Sequence, residues 1–398
     1  MNNWHALLDG SSDELLEAAL ATEDLASAAA IGRLRRLGSP QLVHLAIELA
    51  LGRRKLQSKV DDPSRYVADT EAAEQSTPLP IARHKARRFV AAGCRRIADL
   101  CCGMGLDAAA LAEIADLDVF DLAPSRAWMA RRNVETHTSR KIGAVCADVT
   151  ALNWHRDSWD GLHLDPSRRT AGGRIWNYQG LAPAPSFFEP LSQRTNMAVK
   201  LSPAVDAASL PTGHVEWIAR DGRLNQAVLW TGRLAFAPPH QRTATRLDSG
   251  CEAESWTAEA DLPIPSSGHL DPPVDWFCLV DPVVERAGLC GALCAETGME
   301  ALHPALGILL SDESTGGPWL KAYRHLASMP WRLGPVRRWC RDHGAGEVTV
   351  KTRNRAVNPD RVSMQLRGGG DQPLTVFILD HGRKRMAHIA GPADARAG

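Results

Sequence analysis

Four aspartates each follow a short apolar run, and their spacing would place four carboxylates around one ligand. They are Asp99, Asp121, Asp148 and Asp165. Because the carboxyl ends of parallel strands meet at one edge of a sheet, we expect all four side chains to face a single crevice. Asp121 lies about 20 residues past a glycine-rich turn, a spacing at which a carboxylate can bridge two ribose hydroxyls. The pattern therefore predicts a ligand that carries a ribose.

The glycine-rich turn lies at residues 99–105 and reads Asp-Leu-Cys-Cys-Gly-Met-Gly. An apolar run precedes it and an alanine- and leucine-rich segment follows it, so we predict a strand, a tight turn and a helix. Gly103 and Gly105 have no Cβ, which lets the backbone turn sharply and lets a ligand approach the main chain. The turn lacks the third glycine of the dinucleotide-binding fingerprint, so taken alone it is a weak signal.

The elements that position these residues alternate between apolar strands and helices. Strands are predicted at 97–100, 117–121, 144–147, 161–164, 196–201, 214–218 and 226–230. Helices between near-continuous apolar strands predict a parallel, doubly wound sheet with right-handed crossovers. Asp221-Gly222, a hairpin-type turn, separates the last two strands, so we expect the sheet to end with an antiparallel pair.

The turn, the strand-terminal acids and the antiparallel ending together resemble the class I S-adenosylmethionine-dependent methyltransferases. The resemblance implies an α/β fold with a doubly wound, seven-stranded, Rossmann-like sheet, and S-adenosylmethionine as the cofactor. It assigns the residues of the turn to the methionine part of that cofactor: Asp99, Cys101, Gly103 and Gly105. Asp107, just after the turn, is a further candidate cofactor contact. By the same resemblance, Asp121 would hold the ribose and Asp148 the adenine amino group.

The resemblance implies a second group of cofactor contacts just before the first strand. Gln75 and Thr77 precede an amphipathic helix, which we expect to begin with Thr77 as its N-cap and to bury Ile81, Ala82 and Phe89. In the methyltransferase pattern this helix lies beside the cofactor carboxylate, so both polar residues are candidate contacts. The Glu-Gln-x-Thr entry looks like that of the branch related to trimethylguanosine synthase.

The residues expected to act on the target follow the fourth strand. Asp165 and Pro166 can present a carboxylate oxygen and a backbone carbonyl. Each accepts one N–H of an exocyclic amine, which aims the nitrogen lone pair at the methyl group. The family usually continues with a second proline and a stacking aromatic, whereas this chain has Ser167 and Arg168.

Further candidates for substrate contact lie beyond this motif. Arg168 is expected at the mouth of the crevice, and either Trp176 or Tyr178 would stack on the base, unless both simply pack within the fold. Lys200, in the fifth strand, would face a substrate phosphate or merely cap its strand. An Asp-Pro-x-Arg motif also resembles the uridine C5-methyltransferases, but the loop after the fifth strand has no cysteine nucleophile, which argues against that chemistry.

Composition limits the class of protein. The 398 residues are 44% hydrophobic and 23% charged with zero formal net charge, which is ordinary for a globular protein and excludes a uniformly basic nucleic-acid binder. Nine cysteines without a Cys-x-x-Cys pair imply no disulfide framework and no metal site, and Cys290 and Cys294 are more simply two small side chains on one buried helix face. No apolar run reaches about 18 residues and no signal-peptide pattern is present, so we expect a cytoplasmic protein without membrane contact.

The C-terminal part of the chain is basic. Residues 332–385 contain 12 Lys and Arg against 5 Asp and Glu, and 12 − 5 gives +7. The predicted order of helix, strand, helix, strand and strand resembles the THUMP-like domain found behind such methyltransferase domains. The resemblance implies contact with RNA, which the positive charge favours, and a compact accessory domain is the simpler alternative.

We therefore divide the chain into four segments. These are a helical N-terminal segment (1–75), a methyltransferase domain (76–262), an α+β linker or accessory domain (263–330, with helices expected at 283–295 and 318–326) and a small α+β THUMP-like domain (331–395). The pattern favours a methyltransferase that acts on an exocyclic purine amine in RNA. A small-molecule methyltransferase and a non-catalytic RNA-binding protein that retains the fold stay open as alternatives, as does the oligomeric state.

Overall fold

The computed structural model describes residues 3–154, 158–167, 169–170, 173–174, 178–249, 252–353 and 357–393. The chain divides into two compact units. The first comprises Met1–Arg220, Asn225–Pro239 and Ser249–Ala253, and the second comprises Asp221–Leu224, His240–Asp248 and Glu254–Gly398. The four-segment division expected from the sequence stays a prediction.

Helices form the beginning of the first unit. They are α1 (Asn3–Leu7), α2 (Asp13–Ala21), α3 (Ala28–Leu34), α4 (Pro40–Leu56), α5 (Thr70–Gln75) and α6 (Leu79–Ala91). Ser39 caps α4 by accepting a hydrogen bond from the backbone N–H of Leu42, and Pro40 occupies the first helical position. Apolar side chains of the first four helices, among them Leu15 and Leu49, are buried together in one cluster.

The helix before the first strand, α6, buries the apolar face that its sequence predicts, including Phe89. Its expected N-cap is wrong, because Pro78 occupies the N-cap position and no side chain caps the helix. The Thr77 hydroxyl instead donates to the carboxylate of Asp107, 2.7 Å away. A buried hydroxyl needs a partner, and its hydrogen bond to an ionised carboxylate is stronger than one to a neutral backbone group.

The remainder of the first unit alternates between strands and helices. Its strands are β1 (Arg96–Leu100), β2 (Asp116–Asp121), β3 (Gly143–Cys146), β4 (Gly161–Leu164), β5 (Arg169–Thr170), β6 (Gly173–Arg174), β7 (Met197–Leu201), β8 (His214–Arg220) and β9 (Arg223–Trp230). Its helices are α7 (Leu106–Ala112), α8 (Pro124–Thr138) and α9 (Pro185–Ser192). Among the described residues, the short strands β5 and β6 form a separate two-stranded sheet.

The main sheet of this unit has the strand order β8-β9-β7-β4-β1-β2-β3. Strand β1 is parallel to both β2 and β4, and β4 is parallel to β7. Strand β9 lies between β7 and β8 and runs antiparallel to β7, so the expected antiparallel strand is present in the otherwise parallel part of the sheet. Because chain order reverses between β1 and β4, the carboxyl ends of these strands border a crevice in which α/β proteins bind ligands. The α/β doubly wound fold class is confirmed.

The second unit contains β10 (Gln241–Leu247), β11 (Glu254–Glu259), β12 (Trp276–Val280), β13 (Glu300–Ala301), β14 (Ile308–Ser311), β15 (Leu320–Pro330), β16 (Ala345–Thr352), β17 (Gln372–His381) and β18 (Lys384–Pro392). Its helices are α10 (Pro282–Arg286), α11 (Cys290–Thr297), α12 (Leu333–Asp342) and α13 (Pro359–Leu366). Seven of the strands form a sheet in the order β13-β14-β12-β15-β18-β17-β16. The helix expected at 318–326 is wrong, because residues 320–326 belong to the long strand β15.

A chain of polar side chains is buried in this second sheet. His388 on β18 has no solvent exposure, and its Nδ1 lies 2.8 Å from the Ser328 hydroxyl. Its Nε2 lies 3.1 Å from Nε2 of His381, and the Ser328 hydroxyl also lies 2.8 Å from His325. Burial, together with the neighbouring histidines, lowers the pKa of His388 to about 3.

We expect His388 to make the second unit sensitive to acid. The unfolded chain takes up a proton at His388 below pH about 6.5, whereas the folded state does so only near pH 3, so the free energy of unfolding falls as the pH drops through this window. His388 contributes at most about 1.4 kcal/mol per pH unit to the slope of the free energy of unfolding against pH. Hydrogen exchange of β17 and β18 measures it. The His388→Gln variant should show a shallower slope between pH 6.5 and 4, and an unchanged slope would contradict the assignment.

Candidate active site

A cavity of about 800 Å³ lies at the carboxyl edge of β1, β2 and β4. Three of the four strand-terminal acids line it: Asp121, Asp148 and Asp165. The volume is within the range of about 300–1,000 Å³ typical of small-molecule sites. The geometry therefore brings together the carboxylates that end the second, third and fourth strands.

The fourth acid, Asp99, does not line this cavity. Its side chain is fully buried, and Oδ1 lies 2.6 Å from Nδ1 of His163 on β4. Burial raises the pKa of Asp99. Asp99 lies within β1 rather than after it, so the residue that follows the strand and lines the cavity is Cys101. The expectation that four acids face one crevice is wrong for this residue.

Gly103 and Gly105 both line the cavity with a positive φ, +56° and +84° respectively. A Cβ on Gly105 would lie 2.7 Å from Cα of Ala130 in α8, so only glycine allows this packing. A Cβ on Gly103 would have no atom within 4 Å. Gly105 thus serves the packing of the turn, whereas Gly103 leaves open space beside the backbone.

Asp121 is held by backbone donors. Its Oδ2 accepts from the N–H of Gly103 at 3.0 Å, and its Oδ1 accepts from the N–H of Ala123 at 2.9 Å. Burial raises the pKa of this carboxyl although both hydrogen bonds act in the opposite direction. The following residue, Leu122, is 71% exposed and presents an apolar surface to the cavity. The carboxylate is therefore fixed in direction before any ligand binds.

Asp148 caps the single helical turn at Val149–Ala151. Its Oδ1 accepts from the backbone N–H of Thr150 at 2.9 Å and from the Thr150 hydroxyl at 2.7 Å. These hydrogen bonds lower the pKa of Asp148. The acid is accordingly ionised, and within the described residues both of these hydrogen bonds are made by Oδ1 rather than Oδ2 at the rim of the cavity.

Asp107 and Thr77 form the wall of the cavity below the glycine turn. Asp107 lies in the first turn of α7, where a carboxylate also favours the helix dipole. One of its oxygens accepts from Thr77, and the other lies 2.7 Å from the ammonium group of Lys85 on α6. Although burial alone would raise the pKa of Asp107, Lys85 brings it well below the usual range.

Lys85 and His163 connect this wall to Asp99. The ammonium nitrogen of Lys85 lies 3.0 Å from Nε2 of His163, and both side chains are about 1% exposed. An ammonium group can only donate, so Nε2 accepts and the proton of the imidazole is on Nδ1, where it is donated to Asp99. Neither residue was among the predicted site residues. A histidine inside an otherwise apolar buried strand was the signal that could have identified this network.

Asp165 is paired with a lysine at the end of the cavity that β4 and β7 form. Nζ of Lys200 lies 2.6 Å from Oδ2 of Asp165 and 3.2 Å from the backbone carbonyl of Gln75. The Gln75 side chain donates to Glu71 of its own helix. Lys200 therefore bridges the end of α5 and the acid that follows β4.

Lys59 is a second lysine in the cavity lining, and it was not among the predicted site residues. Its ammonium group donates to the backbone carbonyls of Ala73, Glu74 and Ser76 at 2.5 to 2.8 Å. These carbonyls end α5, where helices leave acceptors unpaired. Burial, assisted by the charge of Lys200, lowers the pKa of Lys59 to about 8.

The expected stacking residues are not brought to the cavity by the described part of the chain. Tyr178 is 8% exposed, donates its hydroxyl to Glu189 at 3.1 Å and packs edge-on against Phe188. It is therefore a packing residue here. Arg168 and Trp176 lie outside the described residues. Pro166 and Ser167 do line the cavity beside Asp165.

Two further observations concern the described residues alone. No His, Cys, Asp or Glu side chains among them are grouped to hold a metal ion. None of the helices they form has the length and apolar character needed to cross a membrane.

Three comparisons with known proteins, of family models, of sequences and of solved structures, each find a match. The model of the family described as "THUMP domain-like" matches residues 320–392. An uncharacterised S-adenosylmethionine-dependent methyltransferase of Mycobacterium tuberculosis strain H37Rv is 28% identical over 358 residues, covering 86% of this chain and 94% of the relative, and its counterpart in strain CDC 1551 matches equally. The chain is a homologue of S-adenosylmethionine-dependent methyltransferases. The narrower resemblance to the trimethylguanosine synthase branch stays a prediction.

The third match supports the fold along the whole chain. A crystal structure from Porphyromonas gingivalis W83, of a protein provisionally assigned as a methyltransferase, has a TM-score of 0.72 and 17% identity and covers 97% of this chain and 99% of its own. The methyltransferase fold is thus present together with the second unit, of which residues 320–392 are THUMP-like. This segment begins with β15, earlier than the expected start at residue 331.

We expect Lys85 to be necessary for the stability of the methyltransferase fold. In Lys85→Met the carboxylates of Asp99 and Asp107 lose their buried cation, so the free energy of unfolding should fall by about 3–5 kcal/mol. The matched control is Arg83→Met on the same helix, whose half-exposed ion pair with Glu113 should contribute less than about 1 kcal/mol. Hydrogen exchange of β1 and β4 in urea measures both. Equal losses in the two variants would contradict the role of the network.

Proposed function

We propose that this protein is an S-adenosylmethionine-dependent methyltransferase that methylates an exocyclic purine amine in RNA. The observation that carries the proposal is that Asp121 and Asp165 line one cavity in a methyltransferase fold. The relatives named as S-adenosylmethionine-dependent methyltransferases support the cofactor, since the match extends along most of both chains.

The residues of the cavity fit this cofactor. The fixed carboxylate of Asp121 suits the two ribose hydroxyls, and Leu122 suits the adenine face. Asp148 has the free oxygen that an adenine amino group requires. Gly103 leaves room for the methionine part beside the backbone, and Asp107, whose oxygens contact Thr77 and Lys85, lines the cavity there. Cys101 and Thr77 line the same side.

The chemistry expected of the chain is mostly orientation. The bound cofactor supplies an electrophilic methyl group, and the protein must hold the target nitrogen in line with it. The carboxylate of Asp165 and the carbonyl of Pro166 would each accept one N–H, which leaves the lone pair directed at the methyl group. After transfer the nitrogen carries a surplus proton, which passes to Asp165 or to water.

The second unit supports RNA as the substrate. Residues 320–392 match the THUMP-like family, and helix α12 exposes Arg337, Arg338 and Arg341. Clustered arginines bind phosphates without regard to sequence, so they would add affinity and leave the choice of base to the cavity. Mass spectrometry of nucleosides in total RNA, from cells with and without the protein, tests this substrate. A methyl group that appears on a sugar, a ring carbon or a small molecule would contradict the proposal.

We expect the two acids to separate cofactor binding from turnover. Asp121→Ala removes two fixed hydrogen-bond acceptors and should weaken cofactor binding by at least about 100-fold, since bonds to charged groups are worth about 1.5–3 kcal/mol each. Asp165→Ala should bind the cofactor within about threefold of the wild type but lose about 10²–10³ in kcat. Calorimetry and methyl transfer to RNA measure the two effects.

The matched control for this pair is Asp116→Ala. Asp116 is an exposed acid at the opposite end of β2 from Asp121, so neither cofactor binding nor turnover should change. Normal methylation by Asp165→Ala would rule out the proposed role of this acid. No cofactor binding by the wild type would support the non-catalytic alternative.

A further inference from the structure

Lys200 has hydrogen-bonding capacity beyond the two contacts that hold it. An ammonium group carries three N–H donors. Within the described part of the chain, the Asp165 carboxylate and the Gln75 carbonyl account for two of them. The side chain is only 10% exposed and lines the cavity. The remaining donor is therefore placed in the same compartment as the target.

Asp165 is left with a complementary acceptor. Lys200 contacts Oδ2, so among the described residues Oδ1 is the oxygen left to accept from a target amine. The carboxylate is about one-third exposed, which gives a ligand access to it. The cavity consequently presents an acceptor and a donor that are tied to each other by a hydrogen bond of 2.6 Å.

This arrangement favours a neutral acceptor over an anion. A phosphate next to Lys200 would also stand next to Asp165, whose negative charge repels it. The other ammonium group in this wall, that of Lys59, is already occupied by three backbone carbonyls. The earlier expectation of a phosphate contact for Lys200 is thus disfavoured by charge, since the ion pair is nearly neutral as a unit.

We propose that Lys200 donates a hydrogen bond to a ring nitrogen of the target base. This ring nitrogen is the neighbour of the amine that donates to Asp165. The inference rests on the proposed function and specifies its substrate: a base edge on which an amino group and an unprotonated ring nitrogen are neighbours. Adenine presents such an edge at N6 and N1, and guanine at N2 and N3. The lysine would then select this edge and fix the rotation of the base about the reacting nitrogen.

The first test uses the full-length protein and the RNA nucleotide that the nucleoside analysis identifies. Lys200→Met should bind S-adenosylmethionine within about threefold of the wild type, because its cofactor contacts are unchanged, and should lose about 10- to 100-fold in kcat/KM for an oligoribonucleotide that carries this nucleotide. Lys141→Met is the matched control. Lys141 is an exposed lysine whose ion pair with Glu135 lies outside the cavity lining, and its substitution should leave kcat/KM unchanged.

The second test separates direct contact from positioning of Asp165. The same oligoribonucleotide is prepared with the ring nitrogen next to the amine replaced by C–H. The wild type should lose about 10- to 100-fold with this analogue, whereas Lys200→Met, which has no donor to lose, should differ by less than about threefold between the two substrates. Where Lys200→Met fails to bind the cofactor, Lys200→Leu, which also has no side-chain donor, replaces it.

The outcomes distinguish this inference from the proposed function. If the wild type methylates the amine but tolerates the C–H analogue, the contact with the ring nitrogen is refuted and the methyltransferase proposal stands. If both proteins lose the same factor with the analogue, Lys200 acts only by positioning Asp165. If no exocyclic amine is methylated, the proposed function falls, and this inference falls with it.

Discussion

The structure of the first unit depends on one buried cation. The ammonium group of Lys85 is almost completely removed from water, and a charge in that position is tolerated only when acceptors surround it. It finds them in Asp107 and His163, and the contact with His163 forces the imidazole proton toward Asp99. Four elements, α6, α7, β1 and β4, are thereby joined around one charge. This constraint fixes the start of α7, and the start of α7 fixes the glycine turn that borders the cavity.

Strand-terminal positions could be predicted from the sequence because they follow from local pattern. An apolar run fixes where a strand ends, and the parallel sheet brings successive ends to one edge, as it does for Asp121, Asp148 and Asp165. The prediction that Asp99 faces the crevice was wrong because this residue lies one position before the end of its strand, where its side chain enters the core. The prediction that Thr77 caps α6 was wrong because its hydrogen-bond partner, Asp107, is 30 residues away in the sequence. Long-range pairs of this kind leave no local signal.

The second unit shows the same limit at the level of whole elements. Residues 318–326 contain apolar and polar residues at a spacing compatible with a helix. Residues 320–326 nevertheless belong to β15, which lies between β12 and β18 in the sheet. Pairing on both sides satisfies the backbone of an interior strand, and that gain overrides a weak local preference. The buried contact between His388 and Ser328 depends on the same pairing, because β15 and β18 place the two residues opposite each other.

The distribution of charge differs between the two ends of the cavity. Every cation in its lining has a partner within the chain: Lys200 pairs with Asp165, Lys59 with the end of α5, and Arg126 with Asp69 at 2.5 Å. Asp121 and Asp148, by contrast, are held by neutral N–H and O–H donors, which orient a carboxylate without cancelling its charge. The end of the cavity at β2 and β3 is therefore negative and suits hydroxyl donors and a sulfonium. The end at β4 and β7 is an ion pair and suits a neutral base, because a charged group would have to disrupt that pair in order to bind.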